Sequence, residues 1–357
     1  LPRSPAPNHP GFSAMDLNIL WFVLLSVLLF GYAVLDGFDL GVGILHLGAD
    51  GDRERRLLMN SIGPLWDGNE VWLVTFGGAL FAAFPNAYAT TFSGFYTPFM
   101  MLLFALIFRA VSMEFRSKRP SATWRKTFDV AFSGASALAA LLFGIAVGNV
   151  LKGVPIEPVG RGGTLEYTGG FFNLISPYTV LTGILVVALF AMHGAIYLYL
   201  KTEGELQDKI YGWMWSTFGV FLVLYMLTTM YTLVSVPQAI ENFREVPWAW
   251  MVVLLNVLAV ANIPRAIYLE KPFYAFMSSV GTIGAFVFLL GMAIFPDLLP
   301  SSVDPAYSVD IYNAASSQKT LGIMATIAGI GMPIVITYTG IVYWTFRGKV
   351  KLGEFSY

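Results

Sequence analysis

Hydrophobic residues occur along this chain in nine long runs, each separated from the next by a short polar stretch. The runs cover approximately Asn18–Leu47, Leu58–Phe84, Tyr88–Met113, Trp124–Val150, Phe172–Leu200, Ile210–Val234, Val246–Tyr268, Phe273–Phe295 and Leu321–Phe346. A helix needs about 20 mostly apolar residues to cross the roughly 30 Å hydrocarbon core of a bilayer. The runs also lack the two-residue alternation of transmembrane β-strands. The pattern therefore predicts an all-α polytopic membrane protein with nine transmembrane helices.

The composition supports a membrane location. Charged residues make up 12% of the 357 residues, and the mean hydropathy is +0.67, whereas soluble proteins carry about 25% charged residues. A net charge of −1 and the lack of a basic tract argue against nucleic-acid binding. The chain has no cysteine, which excludes disulfides, iron–sulfur clusters and thiolate metal sites.

Lys and Arg are distributed unevenly between the two sides of the predicted membrane domain. Fifteen follow the odd-numbered runs, and five lie in the N-terminal segment or follow the even-numbered runs. Because cytoplasmic loops retain positive charge, the N-terminus is expected outside and the C-terminus in the cytoplasm.

Two kinds of segment lie outside the runs. Residues 1–14 are rich in proline and precede Met15, so we expect them to be a disordered extension, natural or left from cloning. Residues 15–357 are then one transmembrane domain. Its longest polar stretches, Leu151–Phe171 and Asp297–Thr320, leave no room for a soluble catalytic domain.

Ionisable residues inside the predicted membrane spans are the main candidates for function, because each costs about 2.5–3.5 kcal/mol or more. The first run carries Asp36 and Asp39, the second Asp67 and Glu70, and the third Arg109. In each carboxylate pair a spacing of three residues places both side chains on one helix face. Continuous helices would put all four carboxylates roughly 12–18 Å below the cytoplasmic boundary. These groups are expected to converge in one polar pocket facing the cytoplasm.

Two interpretations of this pocket stay open from the residues alone. Four carboxylates and one guanidinium cannot all be ionised cheaply in a desolvated site, so the pocket is expected to hold a proton, as a proton relay requires. Alternatively, the same groups act as polar glue between helices. Gly37 and Gly41 form a GxxxG pattern beside them, which lets a neighbouring helix backbone approach closely.

The histidines and Trp72 are weaker candidates. His46 and His193 lie in distant runs, whereas a haem or copper site takes several ligands in fixed geometry. An interfacial His46 and a packed or hydrogen-bonded His193 are therefore expected, with no metal site. Trp72 lies near the carboxylates and is either a packing residue or a gate for a small molecule.

Ordered blocks of sequence throughout the chain resemble subunit II of the cytochrome bd quinol oxidases. The blocks are Gly31–Gly43, Arg55–Trp72, Gly77–Pro85, Phe92–Tyr96, Phe108–Arg109, Phe115–Lys118, Phe143–Gly153, Phe295–Pro296 and Ala315–Leu321. The similarity runs from Met15 to near Tyr357. It implies nine helices in two four-helix bundles plus one peripheral helix, in a bacterial cytoplasmic (inner) membrane.

The resemblance also implies a function. The complex would oxidise ubiquinol or menaquinol and reduce dioxygen to water, as a heterodimer with subunit I, sometimes with a small third subunit. Subunit I would bind two haems b and haem d, and this chain would ligate none. A quinone can also serve as a structural lipid in this subunit.

Carried onto this chain, the resemblance assigns roles to residues already singled out. Asp67 would lie on a proton path from the cytoplasm, with Asp36, Asp39 and Arg109 near it. Glu70 is expected in the same pocket, at a place that an amide can occupy in relatives, and Trp72 would lie at the entry of an apolar oxygen channel. The alternative function is a proton-coupled secondary transporter, although the chain lacks the inverted repeats and mid-membrane helix breaks that such carriers favour.

Overall fold

The computed structural model describes residues 16–160 and 162–353; the predicted extension, residues 1–14, lies outside them. The helices are α1 Leu17–Leu45, α2 Gly51–Ile62, α3 Trp66–Ala83, α4 Pro85–Gly94, α5 Tyr96–Phe115, α6 Ala122–Lys152, α7 Pro177–Lys201, α8 Glu205–Ser235, α9 Glu241–Glu245, α10 Trp250–Tyr268, α11 Pro272–Ile294 and α12 Gln318–Thr345. The strands are β1 Ile156–Val159, β2 Thr164–Tyr167, β3 Asp297–Leu299 and β4 Val309–Asp310. The all-α membrane class is confirmed, with the strands confined to two loops.

Eight helices in the described ranges are long and apolar enough to cross a membrane, namely α1, α5, α6, α7, α8, α10, α11 and α12. Polar caps and prolines set several of their ends. The Asp16 carboxylate accepts a hydrogen bond from the Asn18 amide at the start of α1, and Pro272 occupies the first turn of α11. Both features are typical of helix N-termini.

The second and third hydrophobic runs are each broken, contrary to the prediction of continuous helices. The second run comprises the last turn of α2, a turn over residues 63–65, and α3. Pro64 within that turn cannot donate a backbone hydrogen bond and clashes with a preceding helical carbonyl. The third run is interrupted at Phe95, between α4 and α5. With 18 residues, α3 is about 27 Å long.

Helix α1 lies at the centre of the packing and contacts α3, α6, α7, α11 and α12. Its GxxxG pattern makes the predicted close approach. A Cβ atom added at Gly41 would lie 1.9 Å from the carbonyl oxygen of Phe190 in α7. Gly194 of α7 is also tightly packed, since its added Cβ would lie 2.5 Å from the carbonyl carbon of Gly41. Glycines on both helices therefore allow the α1 and α7 backbones to touch.

Two small antiparallel sheets lie together at one end of the bundle, which we call the strand end. One sheet pairs β1 with β2 and the other pairs β3 with β4. The Val154 amide donates to the Pro300 carbonyl, and the Ser302 amide donates to the Val154 carbonyl, which joins the two loops. Sequence patterns did not predict these strands. The opposite end, where α1 and α12 finish, is called the basic end because Arg116, Lys201 and Lys349 lie there.

Candidate functional site

A buried cluster of polar and ionisable side chains lies where α1, α3 and α5 meet, and we call Asp36, Asp39, Asn69, Glu70 and Arg109 the acidic cluster. Arg109 Nη1 donates to Asp36 Oδ1 at 2.6 Å, and Nη2 donates to Glu70 Oε2 at 3.1 Å. The side chains of Asp36 and Arg109 are 0% and 1% exposed, whereas that of Glu70 is 23% exposed. Three helices separated by up to 73 positions in sequence thus contribute to one ion network.

Asp39 joins the cluster through an amide. Asn69 Nδ2 donates to Asp39 Oδ2 at 2.7 Å and also lies 3.3 Å from the Leu35 carbonyl oxygen. The Tyr343 hydroxyl of α12 donates to Asn69 Oδ1 at 2.8 Å. The predicted convergence of Asp36, Asp39, Glu70 and Arg109 is therefore present in the structure, with a Tyr of α12 that sequence patterns did not single out.

Several buried polar atoms in this region make no hydrogen bond within the described part of the chain. They are Tyr32 Oη, Asp36 Oδ2, Asp39 Oδ1 and Arg109 Nε. Buried polar groups are normally paired, so a concentration of unpaired ones needs an explanation. Each of the two fully buried carboxylates has one oxygen held by an N–H donor and one oxygen with no hydrogen-bond partner among the described residues, and the Tyr32 hydroxyl interacts electrostatically with the Asp36 carboxylate.

Asp67 and Trp72 lie apart from these contacts. Asp67 is exposed on the surface of this chain, in the first turn of α3. The predicted matched depth of all four carboxylates assumed a continuous second helix, and the break before α3 removes that basis for Asp67 and Glu70, which both lie on α3. Trp72 is half-buried, and a Cβ added at Gly31 would lie 2.3 Å from its ring, so Trp72 packs directly on α1.

A second buried network lies at the basic end, and we call it the Asp129 network. Asp129 Oδ1 accepts hydrogen bonds from His46 Nε2 at 2.6 Å and Arg116 Nε at 2.5 Å. Asp129 Oδ2 accepts from Arg55 Nη1 at 2.9 Å and Arg116 Nη2 at 3.3 Å. Arg116 also pairs with Asp52 at 2.9 Å. The carboxylate of Asp129 therefore receives four N–H donors from α2, the end of α5 and the turn after α1.

Sequence reasoning missed the Asp129 network. His46 lies in the turn directly after α1, at the helix end where it was expected, but its side chain is 0% exposed and bonded to Asp129. The available signal was Asp129 itself, an acidic residue within a hydrophobic run. It was hard to recognise because charges are common near the ends of transmembrane helices.

Both described histidines are held by hydrogen bonds within the protein. His193 lies with Nδ1 2.7 Å from Ser279 Oγ and Nε2 3.1 Å from the Val34 carbonyl oxygen, and its ring stacks on Phe276. This agrees with the packed, hydrogen-bonded histidine that was expected. His46 Nε2 is taken by Asp129. Among the residues that the structure describes, no group of three or more His, Cys, Asp or Glu side chains could hold a metal ion.

Comparison with known proteins identifies the family. The family model for cytochrome bd terminal oxidase subunit II matches residues 17–346. Cytochrome bd-I ubiquinol oxidase subunit 2 of Escherichia coli (strain K12) is 36% identical, over 94% of this chain and 95% of that protein. Cytochrome bd ubiquinol oxidase subunit 2 of Bacillus subtilis (strain 168) is 34% identical, over 95% of this chain and 98% of that protein.

The fold agrees with these relatives. A chain of the bd oxidase from Geobacillus thermodenitrificans superposes with a TM-score of 0.76 at 17% identity, covering 93% of this chain and 99% of that one. The comparisons give no support to the transporter alternative. Membership of this family makes the protein a multi-pass subunit of a bacterial inner-membrane oxidoreductase complex, in which haem cofactors and subunit I are also present. This chain belongs to the cytochrome bd terminal oxidase subunit II family.

Proposed function

We propose that the acidic cluster carries protons from the cytoplasm toward the oxygen-reducing site of the complex. The observation that carries this proposal is the pair of buried carboxylates, each with one oxygen held and the other unpaired, Asp36 Oδ2 and Asp39 Oδ1. Three carboxylates share one guanidinium there, so the cluster takes up a proton more cheaply than it holds every group ionised. A fully paired network would have no such free acceptor.

The path begins at Asp67 in this proposal. Asp67 is exposed in the first turn of α3, and Glu70 follows it by nearly one helical turn on the same helix. The Arg109 guanidinium holds Glu70 and Asp36 together. A proton accepted at Glu70 would then pass to Asp36 Oδ2 and Asp39 Oδ1, with water carrying it across the gaps between these oxygens.

The remaining features of the complex follow the family. Quinol is oxidised, dioxygen is reduced to water, and the two haems b and haem d are bound by subunit I, with no redox centre in this chain. A quinone acting as a structural lipid and a small third subunit are compatible with this arrangement. The basic end faces the cytoplasm, supported by its lysines and arginines, and α3 counts as a ninth crossing. Together with the eight long apolar helices, α3 gives the nine crossings that two four-helix bundles and one peripheral helix require.

An apolar oxygen channel beginning at Trp72 is the second part of the proposal. The Trp72 ring packs against Gly31 of α1, which holds the ring in place at the proposed channel entry. Further along α3, a groove of about 380 Å³ between α3 and α4 is lined by Gly77, Gly78 and Phe81 together with Tyr88 and Phe92. Such a surface suits a small apolar molecule and gives no binding site for an ion.

Two Asp→Asn variants test the proton path. In the purified complex in proteoliposomes, we expect Asp67→Asn and Asp36→Asn to lower quinol-driven oxygen consumption and proton uptake at least tenfold, since proton transfer by a positioned group contributes about 10²–10⁴-fold. The haem absorption spectrum should persist. Asp208→Asn, an exposed aspartate in the first turn of α8, is the matched control.

Two results would contradict the proposal. Unchanged turnover and proton uptake in both variants would exclude a proton path through this cluster. Loss of haem d together with loss of the assembled complex would show that the cluster serves only to hold the haem-bearing subunit. Because Asn is nearly isosteric with Asp, retained haem with slowed turnover separates proton transfer from packing.

A further inference from the structure

The C-terminal helix α12 is attached to the rest of the chain by polar contacts near both of its ends, in addition to apolar packing by Met324 and Val342. Within the described residues only Leu321 of this helix is buried. At the strand end, Trp21 Nε1 donates to the Leu321 carbonyl at 3.0 Å, and Gln318 Nε2 donates to Asn18 Oδ1 at 2.8 Å. Contacts of this kind fix the position of a helix along its axis more tightly than apolar packing does, because a hydrogen bond tolerates only small changes in distance and angle.

At the basic end, lysines from two segments hold the neighbouring helix ends in a reciprocal clasp. Lys201 Nζ, at the end of α7, donates to the Phe346 carbonyl beyond α12 at 2.6 Å. Lys349 Nζ, beyond α12, donates to the Thr202 carbonyl beyond α7 at 2.6 Å. The Val350 amide donates to the Lys201 carbonyl at 2.8 Å. Each lysine thus satisfies carbonyl groups that lack a helical partner, and α12 is fixed against α7.

Between these attachments, one side chain of α12 reaches the acidic cluster. The Tyr343 hydroxyl donates to Asn69 Oδ1 at 2.8 Å, and Asn69 Nδ2 donates to Asp39 Oδ2 at 2.7 Å. The second Nδ2 hydrogen points to the Leu35 carbonyl. Because a carbonyl and a carboxylate only accept, the amide nitrogen must face them, and its oxygen must face Tyr343. Asn69 is buried, so without the tyrosine hydroxyl its oxygen would lose its partner.

We infer that Tyr343 is a positioning residue for Asp39: it fixes the Asn69 amide so that the amide donates to the buried carboxylate. The inference rests on the proposed proton path, in which Asp39 takes part. Since the lysine clasp fixes the position of α12 along its axis, it also fixes the position of Tyr343 relative to Asn69. Helix α12 is thereby coupled to Asp39, the last carboxylate of the proposed path.

Other titratable groups also face Asp39 and belong to the same electrostatic environment. They are Asp36 on its own helix, Glu70 on α3, Arg109 on α5, Tyr197 on α7 and Tyr343 on α12. Tyr343→Phe leaves the first four groups unchanged and removes one hydroxyl. A changed pH dependence in that variant would therefore come from the Tyr343–Asn69–Asp39 chain.

The test compares Tyr343→Phe with Tyr338→Phe, a tyrosine of α12 that is 65% exposed, in the assembled complex. A poorly held amide donates less to the ionised Asp39 carboxylate, which favours the protonated form. We expect Tyr343→Phe to move the pH profile of oxygen consumption about half to one unit toward alkaline pH, the shift that one hydrogen bond can produce. The carboxyl C=O stretching band in infrared difference spectra should shift as well, with the haem spectrum intact.

Two further variants make the outcome decisive. In an Asn69→Ala background, Tyr343→Phe should cause no additional shift, because the hydroxyl acts through the amide. Lys349→Met, which removes one of the three hydrogen bonds of the clasp, should move the profile in the same direction by a smaller amount. An unchanged profile and infrared band in Tyr343→Phe would overturn the inference, and so would loss of the haems, since Tyr343 would then be only an anchor for α12.

Failure of the inference is distinguishable from failure of the proton path. If Asp39→Asn slows turnover and Tyr343→Phe changes neither the pH profile nor the infrared band, only the positioning role is wrong. If Asp39→Asn and Asp36→Asn both leave turnover and proton uptake unchanged, the proposed path itself is wrong.

Discussion

Replacing Asp129 by Asn would remove the only negative charge to which Arg55, His46 and Arg116 are all bonded within the described residues. The substitution keeps the size and shape of the side chain and one acceptor oxygen. It replaces the other oxygen with an amide group whose N–H bonds would point at the arginine donors. The change therefore tests the charge of the Asp129 network with little change in packing volume.

The expected cost follows from the burial of the partner. Arg116 and Asp129 are each 1% exposed, and removing one member of a buried ion pair costs about 3–5 kcal/mol, because the other charge stays buried without compensation. Arg116 retains a pair with Asp52 at 2.9 Å, whose side chain is 41% exposed. We therefore expect a loss near the lower end of the range, about 3 kcal/mol.

Thermal unfolding of the purified complex, followed by intrinsic tryptophan fluorescence, measures the effect. Asp50→Asn is the matched control, since it breaks the ion pair between exposed Asp50 and Lys209 at 2.6 Å by the same substitution. Lys209 lowers the pKa of the Asp50 carboxyl, but exposed pairs contribute little to stability. Equal unfolding temperatures for the two variants would refute the reasoning that burial makes the Asp129 network important for stability.

Two other variants test the helix packing. Gly41→Ala should greatly lower the yield of folded complex in membranes, since the added Cβ would lie 1.9 Å from a backbone oxygen of α7. Gly212→Ala in α8 is the control and should leave the yield unchanged, because its added Cβ has nothing within 4 Å. Equal yields would contradict the close α1–α7 contact. Tyr197→Phe should lower the unfolding free energy by about 1 kcal/mol through loss of its 2.7 Å hydrogen bond to the Ser61 carbonyl. The exposed Tyr338→Phe variant should show no loss, and a similar loss in both would refute this assignment.

The long apolar runs predicted the positions of the eight long apolar helices. Polar residues are costly in lipid, so a helix that crosses the membrane consists mostly of apolar residues. The breaks within the second and third runs were not predicted, because the prediction depended on the hydropathy of the side chains alone. A hydropathy average passes smoothly over residues 63–65 and over Phe95, since a short turn changes the mean very little. Only the backbone chemistry of Pro64 marked the first break, and helix-interior prolines such as Pro333 in α12 show that this signal is ambiguous.

Some residues of the candidate site could likewise be predicted from the sequence, and others could not. Asp36, Asp39, Glu70 and Arg109 were found because a charge inside an apolar run stands out against its neighbours. Tyr343 could not be found this way. Tyrosine is ordinary in membrane helices, and its partner Asn69 is 274 positions away in sequence. A contact of that kind depends on how α12 is placed against α3, which residue patterns along the chain do not specify.

The two buried networks differ in whether their carboxylates have oxygens without a hydrogen-bond partner, and under the proposed proton path this difference predicts a role in stability for one network and in proton transfer for the other. Both oxygens of Asp129 are taken by N–H donors, with four contacts in all, which fills the roughly four acceptor positions of a carboxylate. Protonating Asp129 would require breaking one of them. Asp36 and Asp39 each keep an oxygen without a partner among the described residues, so a proton can bind there without breaking a contact to Arg109 or Asn69. Neutralising Asp129 should therefore lower the amount of folded complex, whereas neutralising Asp36 should slow each assembled molecule, and the ratio of haem content to turnover distinguishes the two effects.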